Sequence, residues 1–440
     1  MKVPAELVLS GGLFSFQLEE WIEVPRQVTV EDRPGSRVIS HRGRQEIIAD
    51  YQPRVIWGEK DGIPFTVLDA HMRMEAGSSL LPAQVYEARS ILLGAHVKNA
   101  ETLAQGIRAT FEVNHVGWMG QEPIDISQGR IGPWATSNGA GLTWEPKDDR
   151  ARHITIHTLR ERFIPKVQVL LQLWTGRVIG VQDVEIRIKD VGWCSLETVC
   201  DDRAIPLQQT LLNPSTLSID TVAKWLRMAP QLGPLPFIAV AELSNLQVKA
   251  QVMTAALEGL HARLYPSSNR FTASSRRRKR ATKAAAEAGA EILASSGEDK
   301  ETIKQAIREA LAHAHRPSYA ARLRELLLRV EAAAPGLMGP STEDWIKDIL
   351  AVRNTLSHGA KDDDEFGEPE ISRYYVLSQS AQWAIRIRLL LELVDETTMR
   401  SGLVNYDNFM FVLANMDREQ YWPDFSAHDH FSKLARKTTL

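Results

Sequence analysis

The chain has 440 residues, of which 44% are hydrophobic and 24% are charged, and its formal net charge is −3. This composition excludes an intrinsically disordered protein, and no apolar run reaches the roughly 20 residues that a bilayer span needs. The small net charge argues against nucleic-acid binding by the whole surface, so any such binding must be local. The length predicts two or three domains.

The N-terminal segment MKVPAELVLSGGLFSF lacks the basic, apolar and small-residue regions of a signal peptide, so we expect a cytoplasmic protein that contacts no membrane. Cys194 and Cys200 fit a reducing compartment as buried free thiols. Two cysteines without nearby histidines make a poor metal site. We therefore expect neither a metal nor a cofactor.

Residues 1–205 are predicted to form an antiparallel β domain, a sandwich or jelly roll. Few helical patterns separate its strands, and Gly and Pro punctuate them. Four histidines of this region, His41, His71, His96 and His115, lack the spacing of metal or triad sites, so we interpret the domain as a sensing or ligand-binding domain. The predicted strands are the alternating or β-branched runs PRVIWG, IPFTVLD, ATFEVNHV, HITIHTL, KVQVLLQLW and VQDVEIRIKD.

Residues 206–236 are rich in Pro, Leu and Gln, and we interpret them as a linker. Beyond them the apolar residues recur every three or four positions, so residues 237–440 are predicted to be an all-α bundle. Further helices are predicted around 302–314, 318–334 and 371–397. One long helix that ends near Pro266 is predicted from the apolar stripe Leu243, Leu246, Ala250, Met253, Leu257, Leu260 and Leu264.

The segment RFTASSRRRKRATK carries the densest positive charge in the sequence and no acidic residue. Such a run attracts phosphate backbones strongly and without sequence preference. Its alternative interpretation is a solvated loop or helix start, as many charge runs are. The predicted RNA-binding residues are Arg276, Arg277, Arg278, Lys279 and Arg280.

The stretch STEDWIKDILAVRNTLSHG, residues 341–359, predicts a single helix with both ends marked. Ser341 fits the N-cap position, and Gly359 provides a residue that ends helices. Apolar residues recur at helical spacing between them and define a buried face. Arg353 falls inside this apolar arc, and burying its charge is costly unless an anion or a polar cleft receives it. His358 follows five positions later.

Arg353, Asn354 and His358 match the pattern of arginine, four to six residues and histidine that marks HEPN ribonucleases. The C-terminal half therefore resembles the Apea-like branch of the HEPN superfamily. Two other pairs have the same spacing, but RHITIH alternates like a strand and REALAH lacks both the polar residue after Arg and a helix stop. The β region resembles the domain that accompanies such modules at Gly58, Thr66, Leu68, Asp69, Gly94, Ala95, His96 and Trp118.

The resemblance implies a metal-independent endoribonuclease. In RNA the 2′-hydroxyl attacks the adjacent phosphodiester, so His358 would act as acid or base and Arg353 would stabilise the transition state. Asn354 would add a hydrogen bond or orient the histidine. Glu258 would lie near the cleft, although an exposed, salt-bridged glutamate is an equally good interpretation of it.

The resemblance also implies a homodimer through the HEPN domain, in which two motif helices build one cleft. It further implies an anti-phage defence protein that cleaves host RNA, with tRNA as the expected target, and a phage-derived or small-molecule trigger at the N-terminal domain. Two alternatives remain. One is a catalytically silent HEPN dimer that binds a ligand, nucleotide or protein; the other is a carbohydrate-binding sandwich with a structural helical appendage.

Overall fold

The structure is a computed structural model. It divides into two compact units, one of Met1–Gln208 with Asn213–Arg227 and one of Gln209–Leu212 with Met228–Leu440. The residues that the structure describes are 5–10, 13–18, 28–33, 36–41, 53–74, 84–127, 129–137, 139–147, 154–198, 209–294, 299–312, 314–357 and 367–437.

The strands that the structure describes in the first unit all pair in antiparallel fashion, as a twelve-stranded sheet and a two-stranded ribbon. They are β1 (Ala5–Ser10), β2 (Leu13–Leu18), β3 (Val28–Arg33), β4 (Ser36–His41), β5 (Arg54–Lys60), β6 (Ile63–Met74), β7 (Gln84–Ala88), β8 (Ser90–Leu93), β9 (Ala104–Phe111), β10 (Ile124–Ile126), β11 (Gly129–Thr136), β12 (Gly139–Pro146), β13 (Val181–Ile188) and β14 (Gly192–Thr198). The ribbon is β3 with β4, and β5 pairs with β6 beside the path β1-β2-β7-β6-β8-β14-β13-β9-β12-β11-β10.

The large sheet branches at β6. Its residues 65–68 pair with β8 and its residues 71–74 pair with β7, so β7 and β8 follow each other along one edge of β6. From β7 the sheet continues to β2, and from β8 it continues to β14. Asp69 lies between the two halves of β6 with a left-handed φ of 54°. The predicted antiparallel β fold of the N-terminal region is confirmed.

Residues of the family resemblance meet in one hydrogen-bonded cluster beside β5 and β6. The buried Thr66 hydroxyl donates to the Ala95 carbonyl at 2.8 Å and accepts from the Val97 amide at 3.0 Å. The Nε2 atom of His96 lies 2.9 Å from the Gly58 carbonyl oxygen. A Cβ atom at Gly58 would lie 2.1 Å from the Phe65 ring. These residues therefore fix the position of the segment after β8 against the β5–β6 hairpin.

Two runs that we predicted as strands are helical in whole or in part. The last four residues of HITIHTL lie in α1 (Ile156–Arg162), and all of KVQVLLQLW lies in α2 (Ile164–Thr175). Thr155 caps α1 by accepting from the Thr158 amide, and α2 ends at Gly176 with a φ of 77°. Most of α2 is buried, and burial on several sides favours apolar, β-branched residues that mimic a strand pattern. The strand prediction was wrong because helical packing outweighed local propensity.

The predicted linker contains structure that the sequence analysis did not foresee. A 3₁₀ turn at Pro214–Thr216 precedes α3 (Ile219–Leu232) and α4 (Leu235–Val240). On α3, Val222, Ala223 and Trp225 are fully buried. The Nε1 atom of Trp225 donates to the Lys166 carbonyl at 2.7 Å, so part of this segment is core of the first unit.

The second unit is helical, which confirms the predicted C-terminal bundle. Among its helices α10 (Glu368–Leu390) is the most extensively buried, and it packs against α5 (Leu246–Leu264), α8 (Tyr319–Ala333) and α9 (Thr342–Ser357). No helix that the structure describes is long and apolar enough to cross a membrane. The other described helices of this unit after α4 are α6 (Ser275–Leu293), α7 (Lys300–Leu311), α11 (Glu396–Val404), α12 (Asp407–Arg418) and α13 (Ala427–Lys437).

The predicted motif helix is α9. The Ser341 hydroxyl accepts from the Asp344 amide at 3.3 Å, as an N-cap residue does. Trp345, Ile349 and Val352 are buried as the apolar period predicted. The Trp345 indole donates to the Ser380 hydroxyl at 2.8 Å, which fixes α9 against α10.

Candidate active site

Helices α5, α8 and α9 bring one carboxylate between two arginines. Arg353 of α9 donates from Nη2 to Glu258 Oε2 at 2.8 Å, and Arg322 of α8 donates from Nη1 to Glu258 Oε1 at 2.6 Å. Arg322 also donates from Nε to the Pro317 carbonyl at 2.9 Å. We call Glu258, Arg322 and Arg353 the arginine cluster. Both carboxylate oxygens of Glu258 are occupied, so this residue orients Arg353.

Arg353 also lies against an aromatic ring. Its guanidinium carbon is 4.8 Å from the centre of the Tyr319 ring, a cation–π distance. The Tyr319 hydroxyl donates to the Thr254 carbonyl at 2.8 Å, and burial raises its pKa well above the ordinary value. Tyr319 is therefore a neutral, fixed surface for the arginine. The anion that the sequence analysis required beside Arg353 is Glu258.

The arginine cluster carries an excess of positive charge, because two guanidinium groups share one carboxylate. The Arg322 side chain is 14% exposed, whereas that of Arg353 is 38% exposed. Arg353 is thus the cation of the pair that solvent reaches most easily. A planar guanidinium in this position can donate further hydrogen bonds to phosphate oxygens.

The other predicted motif residues follow Arg353 on the chain. Asn354 lies on α9 and is exposed. His358 and Gly359 lie outside the residues that the structure describes, as does His313 of the REALAH pair. In RHITIH, Thr155 is extended and Ile156 and His157 begin α1, so the strand prediction is wrong at the end of this run. Arg152 of this pair lies outside the residues that the structure describes. The catalytic roles of Arg353, Asn354, His358 and Glu258 stay predictions.

The predicted RNA-binding residues occupy the first turns of α6. The Ser274 hydroxyl caps this helix by accepting from the Arg277 amide at 3.4 Å. Arg276, Lys279, Arg280 and Lys283 line one shallow depression on its surface. Four of the five predicted residues are exposed, and within the described ranges none of the five forms an ion pair. Their charge is therefore available to an external anion.

Sequence reasoning missed Arg322 and Tyr319. Both belong to α8, which was predicted as a helix without a functional residue. They lie 31 and 34 positions before Arg353 on another helix, and no local pattern pairs residues across a bundle. The one available signal was the arginine within the apolar arc of α9, which required a partner but did not identify it.

The first unit has a polar cavity of about 370 Å³ at one end of β13 and β14. Its lining includes Thr136, Asp183, Glu185, Ser195 and Glu197. Asp183 accepts from the hydroxyls of Thr110 and Thr136 at 3.1 and 3.0 Å. Over the described part of the chain, no three His, Cys, Asp or Glu residues are grouped so that they could hold a metal ion.

Comparison with known families matches residues 252–396 to the family described as Apea-like HEPN. The matched region begins in α5 and ends at the first residue of α11, so it contains the whole arginine cluster and the basic turns of α6. No curated protein and no solved structure matches the chain.

Proposed function

Because this chain is an Apea-like HEPN protein, with its HEPN domain at residues 252–396, we propose that it is a metal-independent endoribonuclease of anti-phage defence. The domain itself indicates a nuclease-type or RNA-related function in defence. The observation that carries the finer proposal is the arginine cluster. It presents a fixed and partly exposed guanidinium on the motif helix, next to a positive charge that Glu258 does not fully neutralise.

The proposed reaction uses the nucleophile of RNA itself. The 2′-oxygen attacks the adjacent phosphorus and loses its proton to a base, while the bond to the 5′-oxygen breaks and that oxygen gains a proton from an acid. His358 supplies acid or base, since histidine titrates near neutral pH. Arg353 donates to the phosphoryl oxygens as negative charge grows on them, and Asn354 adds a neutral hydrogen bond. The products carry a 2′,3′-cyclic phosphate and a 5′-hydroxyl.

We propose that the enzyme works as a homodimer through its HEPN domain. The reaction requires two proton transfers, whereas the motif of one chain contains a single histidine. A second copy supplies the second histidine when two motif helices face each other. Sedimentation of the active protein tests this arrangement, and an active monomer contradicts it.

The basic turns of α6 are proposed to attract the RNA backbone, with host tRNA as the expected substrate. Cleavage of host RNA would stop growth of the infected cell. The first unit is proposed to detect infection, and its 370 Å³ polar cavity is a candidate place for a small-molecule trigger. A phage protein that binds the same unit is the other form of trigger.

Cleavage of total RNA and of purified tRNA in EDTA tests the enzymatic proposal. Wild type is compared with Arg353→Ala and His358→Ala, and the new ends are mapped chemically. Arg308→Ala is the matched control, because Arg308 has the same spacing to a histidine but lies on α7. We expect cyclic-phosphate ends from wild type and Arg308→Ala alone. Equal cleavage by all four proteins would assign the activity to another site or to a contaminant.

One observation favours a second candidate function, a silent HEPN module that binds RNA or a nucleotide. Both oxygens of Glu258 already pair with the two arginines, so a substrate phosphate would have to share Arg353 with a carboxylate that repels it. RNA binding by wild type without cleavage, also after addition of extract from infected cells, would support the silent module over the enzyme.

A further inference from the structure

A cavity of about 290 Å³ lies in the helical unit beside the arginine cluster. It is formed by the C-terminal end of α5, the segment that follows this helix and the residues that precede α8. Arg322 is part of both the cavity wall and the arginine cluster, because it lines the cavity and donates to Glu258. His261, which follows Glu258 by one helical turn on α5, forms another part of the wall.

The wall of the cavity is fixed by hydrogen bonds. His261 is 2% exposed, and its Nε2 atom lies 2.8 Å from Glu325 Oε2. Ser268 donates to the same carboxylate oxygen at 3.0 Å. The imidazole stacks on Tyr265 with ring centres 5.0 Å apart, and the Tyr265 hydroxyl accepts from Arg388 Nη2 at 3.0 Å. A ligand would therefore meet a wall whose side chains are already held in place, which lowers the entropic cost of binding.

The charge of the cavity suits an anion. Two arginines and two histidines line it, and none of the lining residues that the structure describes is acidic. Glu325 does not line the cavity, and its carboxylate is already engaged by His261 and Ser268. Arg316 is exposed and forms no hydrogen bond or ion pair within the described part of the chain. The Arg270 amide donates to the His315 carbonyl at 2.7 Å, so the segment that leads into basic helix α6 starts at this cavity.

The size and the remaining donors restrict the ligand further. A volume of about 290 Å³ is at the lower end of small-molecule sites, which span roughly 300–1,000 Å³. It exceeds what an inorganic phosphate needs and suits one nucleotide. Asn269 adds an amide group to the lining, and the Ser268 hydroxyl, which donates to Glu325, still offers an acceptor. Such groups can bond to a sugar or a base edge.

We propose that this cavity binds one nucleotide of the RNA strand, next to the phosphodiester that Arg353 contacts. Arg316 and Arg322 bind its phosphate, and Asn269 and Ser268 contact its nucleoside. The inference rests on the proposed ribonuclease function and adds to it a subsite for a neighbouring nucleotide. Because Arg322 contacts both Glu258 and the cavity, an occupied subsite lies against the same cluster that orients Arg353.

Calorimetric titration of the full-length His358→Ala protein tests the subsite without turnover. The probes are the four nucleoside 3′-monophosphates and inorganic phosphate. We expect at least one 3′-nucleotide to bind more tightly than phosphate. In the His358→Ala background, Arg316→Ala should weaken that binding about tenfold through the lost charge-assisted hydrogen bonds. Asn269→Trp should weaken it by filling the cavity, and Arg308→Ala is the matched control on α7 that should leave it unchanged.

Three outcomes would overturn the subsite: no nucleotide binding, phosphate binding as tight as that of every nucleotide, or equal weakening by Arg308→Ala and Arg316→Ala. The titration does not depend on RNA cleavage. Nucleotide binding by a protein that cuts no RNA would support the subsite and count against the enzyme. Cleavage by wild type together with unchanged binding in the Arg316→Ala and Asn269→Trp variants would remove the subsite and leave the enzyme.

Discussion

Arg108 in the first unit (the sheet unit) and Arg353 in the second unit (the helical unit) each contact at least one aromatic ring and a glutamate. The two groups of side chains differ in their net charge. Arg108 lies between Trp134 and Trp193, at 4.7 and 4.4 Å from their ring centres, and donates from Nε and Nη2 to Glu185. One carboxylate serves that one guanidinium. Arg353 lies over a single ring and shares its carboxylate with a second arginine.

The comparison shows how two arginines with aromatic neighbours can differ in what they are able to bind. The Arg108 pair is neutral and covered on both faces, so it serves as a cross-strand contact between β9 and β13. The arginine cluster keeps one positive charge, and its more exposed member lies on the motif helix. We infer that the ratio of carboxylates to guanidinium groups separates a structural arginine from one that can bind phosphate.

Replacing each arginine by methionine gives the largest expected contrast. We expect Arg353→Met to lower the single-turnover rate of RNA cleavage about 10²- to 10³-fold, since it removes the donors to the transition state. Arg108→Met should leave the rate of the folded protein within about twofold and lower its melting temperature. A cleavage rate that falls equally in both variants would contradict the distinction.

Lys249 is another cation of the helical unit, and nearby acidic residues do not balance its burial and its repulsion from Arg386. Burial, together with the nearby Arg386, lowers the pKa of Lys249 from 10.5 to about 8. Below pH 8 the folded protein carries the cost of that charge. Between pH 8 and 10.5 the unfolded chain binds the extra proton, so the free energy of unfolding rises with pH. We expect this rise to be of the order of 1–3 kcal/mol.

Denaturant unfolding of wild type and of Lys249→Met at pH 7, 8, 9 and 10 measures this effect. The contribution of Lys249 is the part of the pH dependence that the variant lacks. Lys249→Met should also be the more stable protein at pH 7. Parallel curves for the two proteins would show that Lys249 keeps an ordinary pKa.

Changing the ratio of carboxylates to guanidinium groups in the arginine cluster should have a smaller effect on RNA cleavage. Arg322→Met leaves Glu258 paired with Arg353 alone, so the cluster becomes neutral like the Arg108 pair. We expect kcat/KM for RNA to fall about tenfold. The double variant Arg322→Met/Glu258→Gln restores one positive charge and should recover part of this loss. A double variant no better than the single one would show that Arg322 acts through packing.

The basic turns of α6 should contribute through long-range attraction. In Arg276→Ala/Arg280→Ala we expect the plot of log K against log salt for RNA binding to become shallower by about 1.4, or roughly 0.7 for each lost phosphate contact. Arg130→Ala, an exposed arginine of the sheet unit, is the control and should leave the slope unchanged. Equal salt-dependence slopes for wild type and both variants would show that the RNA does not contact the basic turns of α6.

The sequence allowed prediction of the elements whose pattern and caps agree. Helix α9 was predicted with its N-cap and buried face because apolar period, Ser341 and acidic first turn all indicate one helix. Helix α1 was missed because Ile154 and Ile156 alternate with polar residues across its N-cap, and α2 was missed because Val167, Val169 and Leu171 alternate as in a strand. Helix α3 was missed because Pro and Gln obscured its buried face, which includes Trp225.

The candidate site was only half predictable for a different reason. Arg353 was identified because an arginine inside an apolar arc needs a partner. Glu258 was named from the resemblance, whereas Arg322 was not considered, because the contacts of Glu258 span 95 and 64 positions of sequence. Such contacts depend on how the helices pack. The sequence pattern of α9 shows that Arg353 needs a partner, but it does not identify the residue of another helix that provides it.

The hydrogen bond from the Arg270 amide to the His315 carbonyl gives the helical unit a modular design. It joins the two ends of the segment 270–315, which contains α6 and α7. These helices pack on each other where Gly289 leaves room, since a Cβ atom there would lie 2.4 Å from Ile307. A protein engineer could therefore replace the segment between these two residues with a short turn and obtain a bundle without the basic helix α6. The same two residues could also anchor a helical pair of different charge.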